Sequence, residues 1–334
     1  MKNTINRTLK YVISAAMAAA LLWFSFRDVE WIKFIDGLKS CRLEYIVLSM
    51  AAGAFAFWLR GLRWRQLLLP IDPHTKRITT FNGINIGYIT NFIFPRAGEV
   101  ARCGVIANTR KVSFEKSLGT VVLERSLDMV CLLLWMFLLL LFTWGEFGSF
   151  IKGEILQPLQ GKFSSLVLPL SILCAVAVAG CAALWIFRKR LMEIKIVGRI
   201  MQVIKGLLEG VFSAFRMEEK WMFFLYTLLI WLTYWLTSLT TIYAFPQVGH
   251  LNGIDALFLM IIGGFGWVVP VQGGLGAYHF IVSLALAKVY GIAQATGVVF
   301  ATISHEAQAL VMILCGAVSL ISVSMWKKSS KHKL

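Results

Sequence analysis

The hydropathy of this chain leaves it few places to fold other than a lipid bilayer. Several stretches near or above eighteen residues carry almost no charge, and about twenty such residues in a helix cross the roughly 30 Å hydrocarbon layer. The starkest comes just after Glu124, Arg125 and Asp128, where fourteen apolar residues follow one another from Met129 to Phe142. Backbone groups have no water to bond in hydrocarbon, so such runs must satisfy themselves as helices. Only 15% of the residues are charged and mean hydropathy is +0.73, which excludes an ordinary soluble domain.

The net charge of +16 does not point to nucleic acid, because Lys and Arg gather between apolar runs on alternate sides, as the positive-inside rule describes. The N-terminal residues, the 60 to 77 turn, the 110 to 117 turn, the 188 to 220 connector and the tail from Lys327 share the basic side, which makes both termini cytoplasmic. The expectation is an all-α polytopic membrane protein with about six full spans. These spans are 11–26, read as an uncleaved first helix, then 45–69, 118–143, 164–187, 221–245 and 295–326. Trp31, Ile32, Phe34 and Ile35 predict a short interfacial helix before the second span. Leu, Ile and Val at helical spacing between basic residues make 188–220 an amphipathic connector on anionic lipid. Arg60, Arg63 and Arg65, with Trp58 and Trp64 beside them, read as anchors where the second span leaves the bilayer. The six cysteines show no CxxC spacing and read as small buried hydrophobes, so neither a metal nor another cofactor is expected.

Two further apolar segments, 78–94 and 254–269, are broken. The first runs into NFIFPRAGEVAR, Asn91 to Arg102, where Pro95 and Gly98 stop a helix and leave Asn91, Arg96, Glu99 and Arg102 between apolar walls. The second runs into PVQGGLGAY, with Gly273, Gly274 and Gly276 in the turn and His279 after Tyr278. GGLG lacks the preceding strand and following Lys-Ser/Thr of a nucleotide loop. Gly263, Gly264 and Gly266 read as close helix packing, and His74, His250 and His332 as solvated.

Broken helices in corresponding halves of a membrane chain point to a transport site near the midplane. The expectation is a single membrane domain with two re-entrant hairpins in an inverted repeat, 78–143 answering to 254–326. Glu124 and Arg125 then answer to His305 and Glu306. Glu124 and Asp128 lie four apart on one helical face, with Arg125 three from Asp128. Charges there cost about 2.5 to 3.5 kcal/mol each at mid-helix, so they are expected to share a polar network with Arg96 and Arg102, whose guanidinium forks suit phosphate.

At these residues the chain resembles the transmembrane domain of the lysylphosphatidylglycerol synthase family, also called flippase-like. Asn91, Pro95, Arg96, Gly98, Glu99 and Arg102 carry the first part of that resemblance, Glu124, Arg125 and Asp128 the second, and Gly273, Gly274 and Gly276 the third. The resemblance implies an integral protein of the bacterial cytoplasmic membrane that moves an anionic, aminoacylated or polyprenyl-linked lipid. The relatives that synthesise aminoacylated lipid add a soluble transferase domain, and no stretch of these 334 residues reads as one, so an enzyme is not expected. Two alternatives stay open: an accessory subunit of a synthase or glycosyltransferase, and a membrane-embedded lipid-phosphate transferase. A homodimer is compatible with the sequence.

Overall fold

The computed structural model describes residues 31–109, 112–157 and 195–331, with a few helical positions between Ala16 and Phe26. The expected span at 164–187, most of that at 11–26, the start of the connector, Cys174, Cys181 and His332 lie outside the described residues. Every described element is helical.

Helix α1 (Trp31–Lys39) leaves Trp31, Ile32 and Ile35 exposed, as an interfacial helix should. It is followed by α2 (Leu43–Leu68), α3 (Arg77–Ile93), α4 (Gly98–Thr109) and α5 (Phe114–Phe150). Ser113 starts α5 by accepting from the Lys116 backbone N–H. At 37 residues α5 is about 55 Å long, more than a bilayer needs. It kinks at Thr143 (φ −128°, ψ 27°), whose hydroxyl donates to the Leu139 carbonyl, a back-bond that bends helices. A π turn, Ile151–Leu156, ends it.

Beyond the undescribed stretch come α6 (Lys195–Phe212), a short 3₁₀ turn, α7 (Lys220–Ala244), α8 (Gly253–Val268), a second 3₁₀ turn (Gln272–Gly274), α9 (Ala277–Tyr290) and α10 (Gln294–Lys331). A full capping box of Asn252 and Asp255 fixes the start of α8. Among the described residues four helices are long and apolar enough to cross a membrane, namely α2, α5 with its π turn, α7 and α10. Val130, Leu134, Phe137 and Leu141, at spacings of three and four on α5, are exposed, as are Leu310, Leu314, Val318 and Ile321 on α10. These stripes are the lipid-facing surface.

Hydrocarbon gives no hydrophobic force between helices, so packing must come from close fit. Phe147 stacks on Phe258 at 4.3 Å inside the larger core. A Cβ on Gly119 would meet the Leu207 carbonyl and one on Gly210 the Lys116 carbonyl, so α6 lies directly on the start of α5. Lys116 bonds Glu209 across this contact at 2.7 Å, and its hydrogen bond and charge hold the Glu209 carboxyl below the usual range. The small residues of α6 meet α5, and Val203, Ile204, Leu208 and Phe212 stay exposed. Gly263 and Gly266 accept the Tyr278 ring and backbone, so they do serve helix packing.

The two broken segments each fold as a helix, a turn and a second helix, followed by a long helix. The lengths run 17, 12 and 37 residues for α3, α4 and α5, and 16, 14 and 38 for α8, α9 and α10. The second turn meets the end of α3, since Gly273 lies against the Phe92 ring so closely that a Cβ would sit 2.7 Å from it.

Candidate functional site

The first cluster has two arginines on α2 and its carboxylates on α5. Arg60 and Arg63 are three apart and so share a face; Glu124 and Asp128, four apart on α5, present the complementary one. Arg60 reaches Glu124 at 2.8 Å and Asp128 at 2.7 Å, and Arg63 reaches them at 3.1 and 2.6 Å. From α4, Arg102 reaches the other Glu124 oxygen at 2.8 Å. Glu124, Arg63 and Arg102 are at most 1% exposed. Tyr234 of α7 accepts from Arg60 at 3.0 Å, and the Tyr88, Phe223 and Trp64 rings lie under Arg60, Arg63 and Arg102. Trp64 is locked by its indole N–H donating to Thr120 at 2.9 Å.

This corrects the reading of Arg60, Arg63 and Trp64 as headgroup-depth anchors. They are buried, because two carboxylates on α5 need counter-charge where water is absent. The sequence signal was present in the matching i,i+3 and i,i+4 spacings on two spans. It was hidden because arginines near a helix end ordinarily snorkel.

The expected motif residues divide. Arg102, Glu124 and Asp128 join the buried network. At its half-exposed rim Arg125 stands 3.6 Å from Glu99 and 3.9 Å from Asp128. Asn91 closes the turn: its carbonyl accepts from the Gly98 N–H at 2.7 Å while its amide donates to Glu99. That bond caps α4, whose N-terminal dipole also favours Glu99. Gly98 is needed because a Cβ would meet the Gly87 carbonyl and the Asn91 amide. Arg96 does not join the network. It is exposed at φ 60°, making no ion pair to any described carboxylate.

The second cluster occupies the corresponding place. His305 comes eleven residues after Gln294 of α10, as Glu124 comes ten after Phe114 of α5. Gly273, Gly274 and Gly276 have φ of 53°, 75° and 80°, the left-handed region that glycine tolerates. Their turn aims the Gly273 carbonyl at His305 Nε2, 2.8 Å away, while Nδ1 lies 2.9 Å from Glu306. Trp267 stacks on His305 at 5.0 Å, and His279 sits 4.9 Å away, 2% exposed. Tyr278 bonds Ser304 at 2.8 Å.

Compared with known families, residues 9–316 match the model of the lysylphosphatidylglycerol synthase TM region. The chain belongs to that family. As a member, it is a membrane protein related to lipid modification or flipping. No curated protein and no solved structure matches it. Within this family member, Glu124 and Asp128 of the resemblance are the α5 face that receives Arg60, Arg63 and Arg102, with Arg125 at the rim. Those two α2 arginines are the functional candidates that the motif left out.

Proposed function

We propose that the chain is a flippase-like transporter that moves a lipid with a phosphate headgroup across the bacterial cytoplasmic membrane. One observation carries the reading. Three buried guanidiniums face two buried carboxylates, and several of their N–H groups, on Arg63 Nε and Nη1 and on Arg102 Nε and Nη2, have no partner among the described residues. The rim pair of Arg125 and Glu99 is neutral and leaves the excess of one positive charge unchanged. An uncompensated charge in such surroundings costs several kcal/mol, and an anion that accepts bidentate bonds from Arg offsets it. A phosphate diester meets both demands.

The same geometry supports a route. The arms of the two hairpins, at 12 to 17 residues, extend about 18 to 26 Å, less than the hydrocarbon thickness. Re-entrant hairpins, related as an inverted repeat, would expose the polar site alternately while the tails remain in lipid. The basic loops favour cytoplasmic termini. On this reading the protein acts as a carrier.

The test is headgroup quenching in proteoliposomes with fluorescent anionic, zwitterionic and aminoacylated lipids. Protein-dependent scrambling of a phosphate-bearing lipid, lost in Arg102→Gln at unchanged reconstitution, is the expected result. Absence of scrambling of every lipid by folded protein overturns the reading in favour of an accessory subunit.

A further inference from the structure

His305 is held between two acceptors. The Gly273 oxygen is a carbonyl and can only accept, so His305 Nε2 carries the hydrogen. In the neutral ring Nδ1 then presents a lone pair, and 2.9 Å away it faces the Glu306 carboxylate, which also only accepts. Two lone pairs do not bond; a cation between them does. A shared proton would satisfy these two groups alone. It would leave His279 unexplained, because His279 Nδ1 is buried with no hydrogen-bond partner in a ring 4.9 Å from His305. One ligand atom from each of His279, His305 and Glu306 lies within 4.8 Å of the others.

We propose that His279, His305 and Glu306 form a divalent transition-metal site, with zinc the best-fitting ion. Two imidazole nitrogens and a carboxylate oxygen are a ligand set that zinc takes with a fourth position open to water or another ligand. Ligand atoms around a tetrahedral zinc stand about 3.4 Å apart given bonds near 2.0 to 2.1 Å, so side-chain rotation alone closes the 4.8 Å spread. The Gly273 contact has the form expected around a ligating histidine, whose second ring nitrogen donates to a backbone carbonyl and so fixes tautomer and orientation. Trp267, stacked at 18° on the His305 ring, holds its plane. The glycine turn acquires a purpose here: φ of 53° at Gly273 points that carbonyl into the site. Glu306 is 49% exposed on its side chain within a helix long and apolar enough to cross a membrane, and an ion neutralises it there. The sequence expectation of no metal looked to cysteine spacing, and this set contains none. The inference stands independently of the lipid reading.

The experiment uses the full chain purified on a non-histidine tag, chelator-stripped in detergent, and titrated with Co²⁺ and then Zn²⁺. Uptake of about one ion per chain, with the visible ligand-field bands of a tetrahedral Co²⁺ site that Zn²⁺ displaces, is expected. Glu306→Gln, at a half-exposed position where folding is safe, and His279→Gln should each weaken binding at least about tenfold. His250→Gln, on the exposed 246–250 loop, should not. Folded wild-type protein that takes up neither ion stoichiometrically, or a Glu306→Gln protein that binds as wild type does, overturns the proposal.

Discussion

Glu124→Gln isolates the electrostatics of the first cluster, since it keeps the side chain's shape and removes its charge. Glu124 is fully buried and accepts from three arginines at 2.8, 3.1 and 2.8 Å. Each such charged bond contributes about 1.5 to 3 kcal/mol, but the three share one carboxylate and do not add. Breaking a buried ion pair by removing one partner costs about 3 to 5 kcal/mol, because the other charge stays behind. Here three guanidiniums would be left with Asp128 alone, so the upper half of that range applies. Glu99→Gln is the internal comparison: it is half-exposed, its nearest arginine is 3.6 Å away, and exposed pairs contribute about 0 to 1 kcal/mol. Thermal unfolding in detergent, followed by size-exclusion of the surviving monodisperse fraction, should show a large drop for Glu124→Gln and little for Glu99→Gln. Adding Arg102→Gln to Glu124→Gln lowers the stranded charge and should recover part of the loss. Equal effects of the two glutamate variants, or a double variant that is additive, would refute the buried-network argument.

Gly98→Ala should lower the folded yield sharply, because its Cβ would strike the Gly87 carbonyl, a backbone atom that cannot swing aside; overpacking of this kind costs about 1 to 3 kcal/mol or more. Gly273→Ala meets both a positive φ and the Phe92 ring at 2.7 Å. Phe92→Ala in the same chain should restore some stability but not the part due to φ, about 1 to 2 kcal/mol. Arg96→Gly should leave thermal stability equal or higher by about 0.5 to 1 kcal/mol, as φ of 60° suits glycine. If scrambling falls in that variant while stability holds, Arg96 meets the headgroup at the membrane surface.

Much of the fold was legible because hydropathy and charge act on long segments. Helices α2, α3, α7 and α8 begin and end within two residues of the expected runs, since Pro95, Pro246 and Pro270 stop helices for local reasons that the sequence displays, whereas α5 runs seven residues past its expected end. The site was legible in halves. Glu124 and Asp128 declared themselves by being charges in an apolar helix, and Arg102 by following a turn between apolar walls. Arg60 and Arg63 did not, because their burial is decided by what α5 places opposite them, a tertiary fact that single-helix reasoning cannot reach. Arg96 misled for the opposite reason: its motif neighbours are inward, but the αL turn at Arg96 itself sends its side chain out.

The two halves share an architecture but not a chemistry. Each has a turn, a long helix after it, and a polar pair beginning ten or eleven residues along that helix. In the first half the pair recruits arginines from α2 and α4, giving a cluster with surplus donors. In the second half no arginine among the described residues arrives; His305 Nδ1 faces the Glu306 carboxylate while its Nε2 meets the Gly273 carbonyl, and the buried Nδ1 of His279 has no hydrogen-bond partner. Donor excess selects anions and acceptor excess selects cations. On the two proposals above, the clusters take ligands of opposite charge. The Phe92 ring lies against Gly273, so the end of α3 touches the turn whose carbonyl faces His305.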